Sequence, residues 1–231
     1  MLLEDVMGRQ RYPVSCPVCG HLFTASVVRL GVTVGREPDL CPRFRGRAAD
    51  GARRMRSEIT VCPECLFAAR ESFRDISLLP TTRHDIEERI AADGLLKVFR
   101  TSDPSWLPFH AAEVSGKGRN LPARELGELC LRGSWVCRKE NEKPFESAFQ
   151  TRAIRHFIRA LDEDDLSGRN VSVTTYLIGE LSRRLGQHRE AVNWYVNAGK
   201  ALEESRPEGS TWLGRMIEEQ KRLAEKEADA A

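Results

Sequence analysis

Two short cysteine pairs carry the clearest chemistry in the sequence. The segment SCPVCG contains Cys16 and Cys19, and the segment VCPECL contains Cys62 and Cys65. A two-residue spacer lets one tight turn direct both sulfurs at a single ion, and the proline after each first cysteine sets φ in that turn. Four thiolates form the complete tetrahedral ligand set of a structural Zn²⁺ site. We therefore predict one zinc ion per chain, bound by these four cysteines.

Other ions and other cysteine chemistry remain as alternatives. Four sulfurs also hold iron in a rubredoxin-like electron carrier, and a Cys-x-x-Cys pair can form a catalytic disulfide. Neither pair clearly opens a helix after a buried strand, as a thioredoxin-like site would. Cys41 and His21 are further candidate ligands, which we interpret as a neighbouring core residue and a surface side chain. Because four sulfurs leave no open coordination position, the pattern favours a structural and not a hydrolytic metal.

The bulk composition is that of a globular protein without a strong global charge. The 231 residues are 30% charged and 41% hydrophobic, with a net charge of +2. The first ten residues lack the apolar run of a secretory signal, and no stretch approaches the roughly 18 apolar residues of a membrane span. We expect a cytoplasmic protein that does not bind membranes, and in that compartment paired cysteines indicate metal ligation more than a disulfide framework.

An arginine-rich segment lies between the two cysteine pairs. Residues 36–56 contain seven arginines against three acidic residues. We interpret it as a solvated loop. The alternative is a nucleic-acid contact through Arg53, Arg54 and Arg56, although Phe44 is the only aromatic residue available there for stacking on bases.

The pattern of turn residues and periodicity divides the chain into three segments. Residues 10–75 contain frequent prolines and glycines and a period-two alternation at Val28, Leu30, Val32 and Val34, which predicts a small β-rich zinc ribbon. Within 76–122, a helix is predicted at 81–91, and the prolines and glycines of 101–122 predict an irregular linker. Residues 123–228 predict helices at 123–139, 144–163, 171–185, 188–204 and 210–228, with the last break at 206–209. The fold class is therefore α+β, mostly α.

The helical segment contains a recognisable repeat. The stretch YLIGELSRRLGQHREAVNWYVNA, at 176–198, resembles a tetratricopeptide repeat, with Gly179 and Ala191 at close-packing positions and Gly186 ending the first helix. A weaker copy, CLRGSWVCRKENE, lies 46 residues upstream with Gly133 aligned on Gly179. The resemblance implies antiparallel helical hairpins with a concave peptide groove, for which Asn193 and Asn197 are candidate contacts. Cys130 and Cys137 in the upstream copy are interpreted as small core residues.

Across its length the chain resembles the bacterial Domain of Unknown Function 2225 (DUF2225) family. The resemblance covers roughly residues 12–225 and is carried by CPVCGHLF, the DLC at 39–41, VCPECLFAA, LCLRGSW and YLIGELSRRLGQHREAVNWY. It implies a cysteine-knuckle module joined to tetratricopeptide-like helices. Leu66 stands where such knuckles usually have glycine. The functional hypothesis is a non-enzymatic adaptor with a structural zinc, which binds a protein or peptide through its helices.

Overall fold

The computed structural model describes residues 3–4, 9–28, 32–45, 48–164, 166–205 and 211–230. All strands of this part of the chain lie before residue 70, and most of the described residues after it are helical. The predicted fold class, α+β and mostly α, is confirmed.

The described strands are short and form three small sheets. They are β1 (Leu3–Glu4), β2 (Arg9–Ser15), β3 (Leu22–Val28), β4 (Thr33–Arg36), β5 (Pro42–Phe44), β6 (Thr60–Val61) and β7 (Ala68–Ala69). The first sheet has the order β1-β2-β3, and the other two are the pairs β4-β5 and β6-β7. Leu30, part of the predicted alternation at 28–34, lies outside the described residues.

The helices follow the prediction closely after residue 122. They are α1 (Ala48–Arg56), α2 (Pro80–Ala92), α3 (Gly94–Phe99), α4 (Leu107–Gly118), α5 (Ala123–Lys139), α6 (Lys143–Glu163), α7 (Arg169–Arg184), α8 (His188–Ser205) and α9 (Thr211–Asp229). A 3₁₀ turn spans Phe73–Asp75. The predicted break at 206–209 lies outside the described residues.

The chain folds into two compact units, each built from separate stretches of sequence. Unit 1 comprises residues 1–35, 43–121 and 129–146, and unit 2 comprises residues 36–42, 122–128 and 147–231. The units therefore do not coincide with the consecutive segments 10–75, 76–122 and 123–228 that the sequence predicts.

The predicted irregular linker at 101–122 is wrong, because α4 occupies most of it. Pro108 lies in the first turn of α4, where its missing N–H costs nothing. Gly118 marks the contact of α4 with α2, since a Cβ there would lie 2.7 Å from Cγ1 of Ile86. Pro108 thus lies at the start of a buried helix of unit 1, and Gly118 lets the end of that helix pack against α2. Neither residue interrupts the helix.

The solvated loop predicted within 36–56 is also wrong. Its second half is helix α1, which buries Ala52 and Met55 completely. Gly51 faces the rest of unit 1, because a Cβ there would lie 3.3 Å from side-chain atoms of both Phe44 and Lys139. Burial of this small-residue face explains why an arginine-rich segment forms a helix here.

In unit 2, α7 and α8 form a closely packed pair. A Cβ on Gly179 would lie 3.1 Å from the ring of Tyr195. The chain leaves α7 through Gly186, whose φ is +79°. The amide of Gln187 then donates to the carbonyl of Ser182 at 2.9 Å, which is a Schellman cap. At the end of α5, Asn141 has φ +61° and the amide of Glu142 donates to Cys137 at 2.9 Å, so the upstream copy ends in the same motif.

A buried charged cluster fixes the middle of unit 2. The carboxylate of Glu180 is fully buried and accepts hydrogen bonds from Arg183 at 3.0 Å, from Arg184 at 2.7 Å and from the Tyr195 hydroxyl at 2.8 Å. Arg184 also lies 3.7 Å from the buried carboxylate of Asp39. Each buried charge of the cluster is thus met by opposite charge or hydrogen-bond donors.

The DLC segment at 39–41 belongs to this same unit. The hydroxyl of Tyr176 donates to the carbonyl of Pro38 at 2.8 Å. The amide of Cys41 donates to the Asp39 carboxylate at 3.2 Å, which closes a tight turn. Leu40 within that turn has φ +65°. Residues 38–41, which lie between the two cysteine pairs in the sequence, are therefore hydrogen-bonded to α7.

Candidate metal centre

Each cysteine pair forms the turn of a β-hairpin in unit 1. Ser15 pairs with Leu22 at the end of the β2-β3 hairpin, and Val61 pairs with Ala68 in the β6-β7 hairpin. The amide of Cys16 donates to the carbonyl of His21 at 2.9 Å, and the amide of Cys62 donates to Phe67 at 2.8 Å. The two turns thus repeat one geometry, which directs both sulfurs of a pair to the same side.

The four sulfurs converge on one point. Sγ of Cys16 lies 3.6 Å from Sγ of Cys65, and Sγ of Cys19 lies 3.7 Å from Sγ of Cys62. All four sulfur atoms lie within 4.8 Å of one another. A tetrahedral ion with Zn–S bonds of about 2.3 Å places its sulfurs about 3.8 Å apart. The predicted residues therefore form a cluster of the right size to hold a metal ion.

The cluster is continuous with the hydrophobic core of the two hairpins. Cys16 is 2% exposed and Cys62 is fully buried, whereas Cys65 is half-buried and Cys19 exposed. The core around them contains Val14, Val18, Ala25, Phe67, Ala69, Phe73 and Ile86. Phe73 contacts Phe67 at a ring-centre distance of 5.0 Å. Hence the cysteines of the cluster and the apolar side chains around them pack as one small core.

In the absence of a metal ion, the thiols of the cluster differ in pKa. Hydrogen bonds from the Cys65 thiol and from the amides of Cys19 and Val18 lower the pKa of Cys16 to about 5, although burial opposes the charge. Burial raises the pKa of Cys62 to about 11. The pKa of Cys65 is also raised, because its thiol donates to Cys16 and is partly buried. A divalent cation at this position would displace the protons of Cys62 and Cys65.

Side chains outside the hairpins hold the two turns in place. The guanidinium of Arg100, at the end of α3, donates to the carbonyl of Glu64 at 2.6 Å. The guanidinium of Arg74 donates to the carbonyl of Pro13 in β2 at 2.8 Å. The hydroxyl of Ser115 in α4 accepts the amide of Ala68 at 3.1 Å. Sequence reasoning missed these three contacts, since nothing in the local pattern marks an arginine or serine as a support for a distant turn.

The other candidate ligands lie outside the cluster. Cys41 is 1% exposed, and its thiol donates to the carbonyl of Pro42 at 3.8 Å. His21 is exposed and stacks on Phe23 at 6.2 Å. Cys130 and Cys137 are fully buried in α5. Cys41, Cys130 and Cys137 are thus buried, and His21 is a surface residue.

The arginines proposed for nucleic-acid contact share helix α1 but differ in exposure. Arg53 is exposed, whereas Arg54 and Arg56 are half-buried. Nη2 of Arg56 contacts both carboxylate oxygens of Asp103, and Nη1 donates to the Asp103 carbonyl at 2.9 Å. This pairing neutralises one of the three charges on which a phosphate contact would depend.

Asn193 and Asn197 lie on the exposed side of α8. Val196, which is 37% exposed, lies between them on the same face. The cavity bordering the start of α8 is lined by residues 186–190 and 228, so neither asparagine faces it. The two residues belong to an exposed helix surface, and the groove predicted for them stays a prediction.

Comparison with known families agrees with the motifs. The model of the family described as "Uncharacterized protein conserved in bacteria (DUF2225)" matches residues 11–224. No curated protein and no solved structure matches the chain. Within the part of the chain that the structure describes, no helix has the length and apolarity that a membrane span requires. Because the family match begins before the first cysteine pair and ends within α9, the protein belongs to the bacterial DUF2225 family.

Proposed function

We propose that the protein is a non-enzymatic adaptor in which a structural zinc ion stabilises unit 1 and the helices of unit 2 bind a protein or peptide. The observation that carries the first half is the position of the sulfur cluster. Four sulfurs at tetrahedral spacing complete the coordination of zinc, and two of them lie in the hydrophobic core. A site of this kind stabilises a fold and leaves no position for a substrate.

The short β6-β7 hairpin gives the proposed zinc ion a large stabilising role. The strands β6 and β7 have two residues each, so they supply few backbone hydrogen bonds of their own. Two-stranded hairpins are marginally stable in water unless something else packs on them. Zinc binding supplies on the order of 10 kcal/mol in zinc-finger peptides, enough to decide whether such a segment folds.

The interaction role rests on the helical hairpins of unit 2. The face of α8 that carries Asn193, Val196 and Asn197 presents two amide side chains around an exposed valine. An apolar group flanked by hydrogen-bonding groups suits a peptide or helix surface better than open solvent. Because Asn193 and Asn197 are exposed, replacing them should leave the fold intact.

The metal half of the proposal is tested by elemental mass spectrometry. Protein purified from unsupplemented medium should contain about one zinc per chain, in line with a single four-cysteine cluster. About one iron per chain with visible colour would instead establish the rubredoxin-like alternative. No metal at all would overturn both, and the pairs would then be tested as redox thiols.

The adaptor half is tested by crosslinking the protein in cells of its host. A partner that crosslinks to wild-type protein and is lost in the double variant Asn193→Ala, Asn197→Ala supports the proposal. The matched control is Arg155→Ala, an exposed change on α6 in the same unit. A protein that makes no crosslink, or one whose crosslinks are unaffected by the double variant, would contradict a role for this face.

Nucleic-acid binding is the second candidate, supported by the exposed Arg53 and by Arg54 on one helix. Binding to mixed DNA or RNA at low salt that falls steeply as salt is added would support it. Replacing Arg53 and Arg54 with glutamate should then abolish the binding. Unlike the changes at Arg53 and Arg54, Arg56→Glu should also lower the stability of unit 1, because it breaks the ion pair between Arg56 and Asp103.

A further inference from the structure

A cavity with a strongly positive lining lies within unit 2, away from the face of α8. It has a volume of about 390 Å³. Three arginines from different parts of the sequence line it: Arg36 at the end of β4, Arg124 in the first turn of α5, and Arg169 at the start of α7. Trp212, in the first turn of α9, is a fourth lining residue. We call it the arginine pocket.

Helix ends add to the positive potential of the arginine pocket. The lining residues Arg124, Arg169 and Trp212 are each in the first turn of a helix, so the starts of α5, α7 and α9 all border it. The N-terminus of a helix carries roughly half a positive charge and attracts anions. The α7 start has Gly168 as its N-cap and therefore no side-chain cap. The guanidiniums of the lining and the uncapped start of α7 thus act together.

Two acidic residues contact Arg124 or the start of α5. Asp164 accepts the amides of Ala123 and Arg124 at 3.2 and 2.8 Å, so it caps α5. Glu128 pairs with Arg124 at 3.1 Å, with both side chains 32% exposed. An ion pair so accessible to water is weak, and an anionic ligand can compete for the same guanidinium. The pocket lining itself contains no carboxylate among the described residues.

The lining also has an apolar part, which includes a flat aromatic ring. Trp212, Val173 and Leu40 form this part, and the guanidinium of Arg169 lies 5.5 Å from the centre of the Trp212 ring. The side-chain amide of Asn170 adds a hydrogen-bond donor beside the arginines. The volume falls within the range of small-molecule sites, about 300–1,000 Å³, and exceeds what one inorganic anion fills.

We propose that the arginine pocket binds a phosphorylated small molecule. Arg124 and Arg169 hold the phosphate group, with Asn170 as an additional donor, and a ring or apolar part of the ligand packs against Trp212 and Val173. Guanidinium groups suit this task because their planar N–H pairs match phosphate oxygens and keep their charge at every physiological pH. The proposal rests on residues of unit 2 alone and is independent of the metal and of the α8 face.

Isothermal titration calorimetry on the full chain as purified, at low salt, tests the pocket. The probes are AMP, inorganic phosphate and adenosine. We expect saturable binding of AMP, weaker binding of phosphate and no binding of adenosine. The double variant Arg124→Met, Arg169→Met should weaken AMP binding by at least about tenfold, because it removes two charge-assisted contacts. Trp212→Leu should weaken AMP binding and leave phosphate binding unchanged.

The matched control is Arg155→Met, which removes one exposed charge of unit 2 outside the pocket. It should leave AMP binding unchanged. Arg169→Lys keeps the charge and guards against misfolding, so it should bind phosphate more tightly than Arg169→Met. The proposal is overturned if neither AMP nor phosphate binds wild-type protein at millimolar concentration. It is also overturned if the double variant binds AMP as tightly as Arg155→Met does.

Discussion

Gly20 and Leu66 occupy the same position in the two cysteine turns. Each lies four residues after the first cysteine of its pair, and its amide donates to that cysteine's carbonyl, at 2.9 Å for Gly20 and 3.0 Å for Leu66. Their φ angles are +75° and +61°. The second turn thus adopts with leucine a conformation that usually requires glycine, and the departure of this sequence from the usual knuckle does not change the turn.

Gly20→Ala should lower the free energy of unfolding by about 1 kcal/mol, since an L residue at positive φ pays a steric cost even in open space. A Cβ at Gly20 would meet nothing within 4 Å, so the loss reports the backbone alone. Urea unfolding of the zinc-loaded protein measures it. Gly94→Ala is the control in the same unit, because Gly94 has equally open surroundings and an ordinary φ. Equal stability of the two variants would contradict the prediction.

Cys62→Ser should abolish stoichiometric zinc binding, because Cys62 is fully buried and no other cysteine of the described residues joins the cluster. The β6-β7 hairpin should then lose its protection from hydrogen exchange, as a metal-stabilised segment does. Metal content per chain and amide exchange measure the two effects. Cys41→Ser is the control, since Cys41 is buried outside the cluster, and it should retain the full zinc content. Zinc loss in that control would make Cys41 a ligand.

Glu180→Gln should destabilise the protein by about 3 kcal/mol, because it leaves Arg183 and Arg184 with an uncharged partner in a buried position. Thermal or urea unfolding measures this loss. The control is Glu163→Gln, which breaks an ion pair with Arg159 in which both side chains are 53% exposed. That variant should be indistinguishable from wild type. A similar stability of both variants would show that the buried cluster contributes nothing.

Alkaline pH should weaken unit 2 through its tyrosines. Burial, reinforced by the charge of Glu180, raises the pKa of Tyr195 and of Tyr176 far above the ordinary value of 10.0. Above pH 10 the unfolded chain releases these protons while the folded chain keeps them, so stability is lost as the pH rises. The free energy of unfolding should fall by about 1.4 kcal/mol more in wild type than in Tyr195→Phe between pH 9 and pH 11.

A parallel loss of stability in wild type and Tyr195→Phe would contradict this assignment. Ultraviolet absorbance offers a second test of the same groups. Tyrosinate signal from Tyr176 and Tyr195 should appear only when alkali unfolds the protein, since both side chains are fully buried and their hydroxyls donate to the Pro38 carbonyl and the Glu180 carboxylate.

The parts of the structure that were predictable are those in which local pattern determines the outcome. The paired cysteines, the helices after residue 122 and the turn at Gly186 all follow from spacing, periodicity and a single required φ. The family resemblance is confirmed for the same reason, because its motifs are local. Gly179 also lies against α8 as predicted, because small residues at helix crossings leave a clear mark in sequence.

The parts that could not be predicted depend on distant partners. In the sequence, Pro108 and Gly118 predict a loop. In the structure, Gly118 is the small residue that lets α4 pack against Ile86. Residues 48–56 form a helix because Ala52 and Met55 are buried, and their short amphipathic pattern is masked by the arginines around them. The ion pair between Asp39 and Arg184 joins residues far apart in the chain, and no local pattern contains it.

The hydrogen bond between Tyr176 and Pro38 can form only late in the synthesis of the chain. The two residues are 138 positions apart. At translation rates of about 5–20 residues per second, the turn at 38–41 is synthesised roughly 7–28 s before the helix that receives it. The cysteine hairpins that flank this turn are complete long before then. During synthesis, therefore, the four paired cysteines are already available while unit 2 still awaits its last helices.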